Sequence, residues 1–151
     1  MTSKKTINSS HIETLLSCPF VHHVRRRCEK FRINFSLSLT SDCLCISDGD
    51  TTDGFFDPPS RTTPGTLCLS VAGKDLSEIY HTLAHEFCHL EQWVRDDALW
   101  VKWMKRSSRK STLALERRTE EEALEMLKRF NLYDDSMLDR MNKYLRRLEN
   151  S

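Results

Sequence analysis

The apolar residues of this chain change their period near residue 74, and that change constrains the fold more than any other feature of the sequence. Upstream, Ile33, Phe35, Leu37 and Leu39 alternate with Arg32, Asn34, Ser36 and Ser38, the period of two expected of a half-buried strand. Downstream, Leu76, Ile79, Leu83, Phe87, Leu90 and Val94 recur at helical spacing, and Asp75 with Glu78 three residues later has the form of a capping box. A chain patterned in this way is α+β, a small sheet packed on a long helix with further helices after it. Its 151 residues are the size of a single domain, 1–151, with one core.

Within that domain the sequence divides into N-terminal helices over 1–31, a small sheet with a long loop over 32–71, and the long helix with C-terminal helices over 75–149. Ile12, Leu15 and Leu16 mark a first short helix, and Pro19 opens a second that runs through Val24 and Cys28. Ser41-Asp42 is read as a turn joining the strand at 33–39 to a second at 43–47, a hairpin. Seven of the eight glycines and prolines fall between Gly49 and Gly73, so 48–65 is read as a surface loop. A third strand over 66–71 follows it, with Leu67, Leu69 and Val71 on one face. The helix from Asp75 extends to about residue 93 or further. A basic, serine-containing link over 102–110 separates it from a helix starting near Leu113, which carries Ala123, Leu124, Leu127 and Phe130 on one stripe. Asn131-Leu132-Tyr133-Asp134-Asp135 breaks that helix, and the last one uses Met137, Leu138, Met141, Leu145 and Leu148.

Composition excludes several classes of function. Lys and Arg total 23 against 22 Asp and Glu, so bulk charge gives no support to a general nucleic-acid or membrane-surface binder. The longest uncharged stretch, 62–73, is far short of the roughly 18–20 residues that span a bilayer. The basic start Lys4-Lys5 is followed by polar residues where a signal peptide places its apolar run, which predicts a cytoplasmic protein. Six cysteines without a CxxC pair then read as reduced and mostly buried thiols.

His85-Glu86-Phe87-Cys88-His89 stands inside the long helix. Composition alone would generate about 0.02 HExxH matches in a chain like this one, so chance does not account for it. On a helix, positions four apart lie about 40° apart in azimuth and about 6 Å along the axis, so both imidazoles can reach one metal ion. A zinc held by two imidazoles and one further ligand keeps a position for water and lowers its pKa to about 7. Glu86 is then placed to take that proton and hand it to a leaving amine.

No histidine lies beyond His89, and Gln92 and Arg95 stand where a metzincin would need glycine and histidine. A carboxylate from a later helix is the remaining common solution. Glu120 precedes Ala123, Leu124 and Leu127 by three, four and seven residues and so faces inward, where an ionised carboxylate needs a cation. Glu120 is the favoured third ligand. Glu116, on the same stripe, is the reserve, or else an acceptor that orients a histidine. Glu121 and Glu122 read as solvated, pairing with nearby cations.

His85 to His89 followed by Glu120-Glu121-Glu122-Ala123 resembles the gluzincin arrangement of HExxH with ExxA, as in the small ImmA/IrrE-type metallopeptidases. The stretch 82–89 is similar to SprT-like proteases. Residues 115–132 with Tyr144 resemble small phage-encoded metallopeptidase-like proteins. The resemblance implies a minimal zincin-like domain in which the first glutamate of ExxA, here Glu120, completes a zinc site. It implies a protein or peptide substrate that pairs with an exposed sheet edge. A phage-encoded member would act in the host cytoplasm.

The expectation is therefore a zinc-dependent peptidase in which His85, His89 and Glu120 hold the ion and Glu86 is the general base. Two rivals share the motif: a zinc-stabilised binding module without turnover, and a DNA-associated protease of the SprT-like kind. His81, one turn before His85, reads as a structural histidine. Tyr133, Arg140 and Tyr144 are candidate donors to the transition state, and Cys88 a small buried hydrophobe. Trp100 and Trp103 interleave with Lys102, Lys105, Arg106, Arg109 and Lys110. That pattern can serve nucleic-acid binding, but the favoured reading is a solvated helix end with two core tryptophans, and Arg25-Arg26-Arg27 is treated in the same way.

Overall fold

The computed structural model describes residues 9–40, 44–45 and 51–151. Two helices come first, α1 (Ser9–Ser17) and α2 (Pro19–Lys30), with Pro19 in the first turn of the second, where its missing N–H costs nothing. The strands are β1 (Ile33–Ser38), β2 (Leu44–Cys45), β3 (Thr51–Thr52), β4 (Gly54–Asp57) and β5 (Gly65–Ser70). Four helices complete the chain: α3 (Leu76–Val94), α4 (Ala98–Lys105), α5 (Arg109–Arg129) and α6 (Asp135–Glu149). The architecture is α+β.

The sheet departs from the expected hairpin. β1 pairs in parallel with β5, Phe35 opposite Leu67 and Leu37 opposite Leu69, and β4 adds antiparallel on the other side of β5. The order is therefore β1-β5-β4. Leu44 and Cys45 of the expected second strand do form β2, but pair with β3 instead; the turn at 41–42 and residues 43 and 46–47 lie outside the described residues. The segment 48–65 is not all loop. Its Gly54-Phe55-Phe56-Asp57 forms the outer strand β4, and Pro58-Pro59, which offer no amide donor, end it. Phe56 packs on Trp93 and Trp100 at ring distances of 6.2 and 5.9 Å, which fixes this short strand against the helices.

α3 lies on the sheet and is the most buried helix, with Ile79, Leu83, Phe87 and Leu90 each at most 1% exposed. Its partners are Phe20, Val21 and Val24 of α2, Leu67 and Leu69 of β5, Ala123, Leu124 and Leu127 of α5, and Met137 of α6, all in one core cluster. Full burial of each such larger apolar side chain stabilises by about 1.5–3 kcal/mol. Phe20 anchors one end, edge-on to Phe87 at 6.2 Å and tilted on Phe130 at 5.0 Å.

Caps set where the helices begin. Asp75 accepts from the Glu78 amide as expected. The basic link is shorter than the sequence suggested, because Asp97 caps α4 and Ser108 forms a capping box with Ser111 that starts α5 at Arg109. The two tryptophans face inward. Trp100 is buried, and Trp103 donates from its ring nitrogen to Thr112 at 3.1 Å.

Gly65 opens β5 where β4 leaves the sheet. A Cβ there would lie 2.6 Å from the Asp57 carbonyl oxygen and 2.8 Å from the Pro59 nitrogen, both backbone atoms that cannot swing aside. Gly65→Ala is expected to lower unfolding free energy by about 3 kcal/mol, read as a drop in the urea midpoint at unchanged slope. A midpoint equal to that of the parent chain would refute this account of the close approach.

Candidate metal centre

α3 presents His81, His85 and His89 at four-residue intervals, and α5 lies beside it with Glu116 and Glu120 one turn apart. One ligand atom from each of His85, His89 and Glu116 lies within 4.8 Å of the others. His85 Nε2 is 2.7 Å from Glu116 Oε2, and His89 Nε2 is 3.4 Å from Glu116 Oε1. The two rings stand nearly perpendicular at 4.8 Å. These three residues could hold a metal ion.

The carboxylate brought to the histidine pair is thus that of Glu116, whereas Glu120 was the third ligand expected from the sequence. Glu120 does face inward, at 4% exposure. Its Oε2 meets His81 Nε2 at 2.8 Å and the far nitrogen of His85, Nδ1, at 3.8 Å. The inward stripe was read correctly, but periodicity within α5 does not fix its axial offset along α3, and that offset sets Glu116 opposite both ligand rings. Glu120 takes the place of an outer partner behind His85.

His89 has an outer partner as well. Its Nδ1 is 2.9 Å from Gln92 Oε1, Gln92 Nε2 donates to Thr119 Oγ1 at 2.9 Å, and the Thr119 hydroxyl donates to the Leu115 carbonyl at 2.8 Å. That chain has a direction. Leu115 can only accept, so Thr119 accepts from the Gln92 amide, and the Gln92 oxygen accepts from His89. The proton of neutral His89 then sits on Nδ1, leaving a lone pair on Nε2 toward Glu116. Gln92 is fully buried, and neither it nor Thr119 was singled out from the sequence as part of the site. The available signal was Gln92 three residues after His89, on the same helix face.

Electrostatics points to a cation at the same place. Burial raises the cost of ionising Glu116 and Glu120, yet hydrogen bonds and charge from the histidines prevail and hold both carboxyls low, Glu120 at about 2. Burial also disfavours the His85 imidazolium, but Glu116, Glu120 and Glu86 outweigh it and raise that imidazole well above its usual value. Glu86 is half-buried, and burial pushes its carboxyl up against the opposing pull of His85 and His89. Glu116 Oε2 is buried and has no hydrogen bond of acceptable geometry from the described residues, although His85 Nε2 is close. A buried carboxylate that faces His85 Nε2 through its orphaned Oε2 and His89 Nε2 through Oε1 makes with them an N, N, O donor set that fits a borderline divalent ion such as zinc.

The centre opens into a cleft of about 1020 Å³, floored by His81, His85 and Glu86, with Thr52, Asp53 and Gly54 on one wall and α6 on another. Of the three candidate donors, Tyr144 and Arg140 line this cleft and Tyr133 does not. Tyr133 lies instead under Lys128 Nζ at 5.0 Å. The Tyr144 ring is edge-on to His85 at 5.8 Å, and burial with the neighbouring Glu116 charge pushes its hydroxyl far up, so it stays a donor. Arg140 Nε reaches His81 Nδ1 at 3.4 Å. His81 therefore has a carboxylate on one side and a guanidinium on the other, a more engaged position than a merely packed histidine. Of the acids read as solvated, Glu121 is exposed, but Glu122 is half-buried and pairs with Arg95 at 2.8 Å.

Comparisons of the chain with protein-family models, curated proteins and solved structures each find no match. The assignment of roles rests on the geometry above. Metal content of protein purified without added metal is expected to fall to background in Glu116→Ala. Glu120→Ala and Gln92→Leu should keep the ion at about 10- to 100-fold lower affinity, measured by chelator competition. Stoichiometric metal in Glu116→Ala with loss in Glu120→Ala would return Glu120 to the ligand set.

Proposed function

We propose that the chain is a zinc-dependent peptidase, hydrolysing peptide bonds with water activated at the His85, His89, Glu116 centre and Glu86 as general base. The observation that carries this reading is that ligand atoms of His85, His89 and Glu116 lie within 4.8 Å of one another, with one Glu116 oxygen buried and orphaned and with His85 and Glu86 lining an open cleft. Two imidazoles and one carboxylate would hold zinc with fewer protein ligands than a closed structural site supplies. Bound there, zinc would supply Lewis acidity toward a carbonyl and a water whose pKa is near 7.

The remaining work falls to the chain's own groups. Glu86, whose carboxyl burial raises above its ordinary value, accepts the proton of the attacking water and returns it to the leaving amine. Tyr144, kept protonated, is the neutral donor placed to stabilise charge growing on the scissile carbonyl oxygen. β4 is one of the two outer strands of its sheet, and residues 51–54 line the cleft. An extended substrate adding to that edge would satisfy its own backbone while presenting a carbonyl to the centre. Gly54 permits the close approach of this strand to α3, since a Cβ there would meet Thr82 Cγ2 at 2.9 Å. Among the described residues no helix is long and apolar enough to cross a membrane, and a cytoplasmic setting belongs to this proposal.

Glu86→Gln is expected to retain stoichiometric metal while losing at least about 100-fold in turnover, measured as new peptide N-termini released from a peptide mixture. If the metal-loaded parent chain releases none, or if Glu86→Gln cleaves at the parent rate, the peptidase reading fails and a zinc-stabilised binding module takes its place.

A further inference from the structure

The wall of the cleft formed by α6 carries Lys143, Arg146 and Arg147, all exposed. None has an ion-pair partner among the described residues, although Arg147 lies over the Tyr144 ring at 6.0 Å. The other charges lining the cleft are differently placed. Glu86 and Glu120 belong to the centre, Asp53 is paired with Lys74 at 3.3 Å, Glu78 lies in the first turn of α3, and Arg140 is held by Ser77 and His81. Cations in the last turns of a helix also answer its macrodipole, but that accounts neither for their position on the wall of the cleft nor for their lack of anions. Lys143 and Arg147 are one helical turn apart, about 6 Å. Alternate side chains on one face of an extended peptide are about 6.6 Å apart.

We propose that this wall selects acidic peptides, with Lys143 and Arg147 receiving carboxylates of two substrate residues spaced i and i+2. The inference deepens the peptidase reading and rests on it for the cleavage step, though not for binding. A polypeptide fits better than a nucleic acid. A phosphate backbone carries a charge at every unit and would have to pass Asp53 and Glu78, which also line the cleft, whereas a peptide can confine its acids to the basic wall. Exposed pairs are each worth a few-fold in binding, so two should give about a tenfold preference, screened by salt.

The test uses the metal-loaded full chain and short fluorogenic peptides identical but for glutamate, glutamine or lysine at alternate positions. Relative kcat/KM is measured for cleavage, and anisotropy for binding to the Glu86→Gln form. The glutamate peptide should lead the glutamine one by about tenfold at low salt, with the gap closing at about 0.5 M salt. The double substitution Lys143→Glu with Arg147→Glu should reverse the order in favour of the lysine peptide, a gain that misfolding cannot mimic. Cleavage with no charge preference, or a preference untouched by the double substitution, overturns the inference and leaves the peptidase standing. Charge-selective binding that the double substitution reverses, without cleavage of any peptide, supports the inference and removes the peptidase. Displacement of the glutamate peptide by single-stranded oligothymidylate at lower concentration overturns it in favour of a nucleic-acid groove.

Discussion

The structure depends on keeping carboxylates charged at the interface of α3 and α5. Glu116 and Glu120 are taken largely out of water together with Glu86, and the effective cost of burying such ions is several kcal/mol each unless cations and hydrogen bonds answer them. His81 supplies a hydrogen bond to Glu120, His85 and His89 set ring nitrogens 2.7 and 3.4 Å from the Glu116 oxygens, and Arg140 stands behind His81. Neutral imidazoles do not neutralise three acids. The cluster therefore draws positive charge to the point between His85, His89 and Glu116, as a proton on His85 or as a divalent ion. Well-packed apolar residues at such positions are often as good for stability or better, so stability alone does not account for the cluster.

The two histidines that could hold an ion are supported unequally. Behind His89 stands a neutral amide whose orientation is dictated, through Thr119, by a helix carbonyl. Behind His85 stands the Glu120 carboxylate, at longer range and shared with His81. His89 is thus the more rigidly oriented of the two, held through a directed chain of hydrogen bonds. The other end of Gln92 also reaches Glu122 at 3.4 Å, and Glu122 joins Arg95, Asp97 and Arg118 in a surface network. The orientation of a buried ligand is thereby tied to ion pairs at the start of α4.

Much of this was legible in the sequence, and what was not has definite physical causes. The α3 helix, its Asp75 cap, its buried stripe and the pairing of His85 with His89 follow from a period of 3.6 and one spacing. The inward direction of Glu120 followed from the apolar stripe of α5. The exchange of Glu116 for Glu120 opposite the histidines did not, because the two share a face and differ only by about 6 Å along an axis whose offset is a tertiary property. β1 was recognised by its alternation, but its partner was not. The local turn signal at 41–42 favoured a hairpin, whereas β1 pairs with β5 across the intervening segment. β4 was hidden in a stretch rich in glycine and proline, where Phe56 finds its partners, Trp93 and Trp100, only in three dimensions.

One interval runs through the whole cleft. α3 sets its imidazoles at 81, 85 and 89, α5 its carboxylates at 116 and 120, and α6 its polar wall at 140 and 144 and again at 143 and 147. Groups four apart share a face, so sliding α3 or α5 by one turn could bring a chemically similar residue to the same place with the wrong partner, and the same holds for Lys143 and Arg147 on α6. Periodicity therefore cannot choose among the registers, and packing and caps must. Met137 and Leu145 are the buried anchors of α6, and Ser77 ties its first turns to α3 through Ser136 and Arg140. α5 is positioned by its Ser108 capping box and by Gln92 bonding to Thr119. The chemistry at the centre is repeated on each helix, and its uniqueness comes from these few polar contacts that fix the axial offsets.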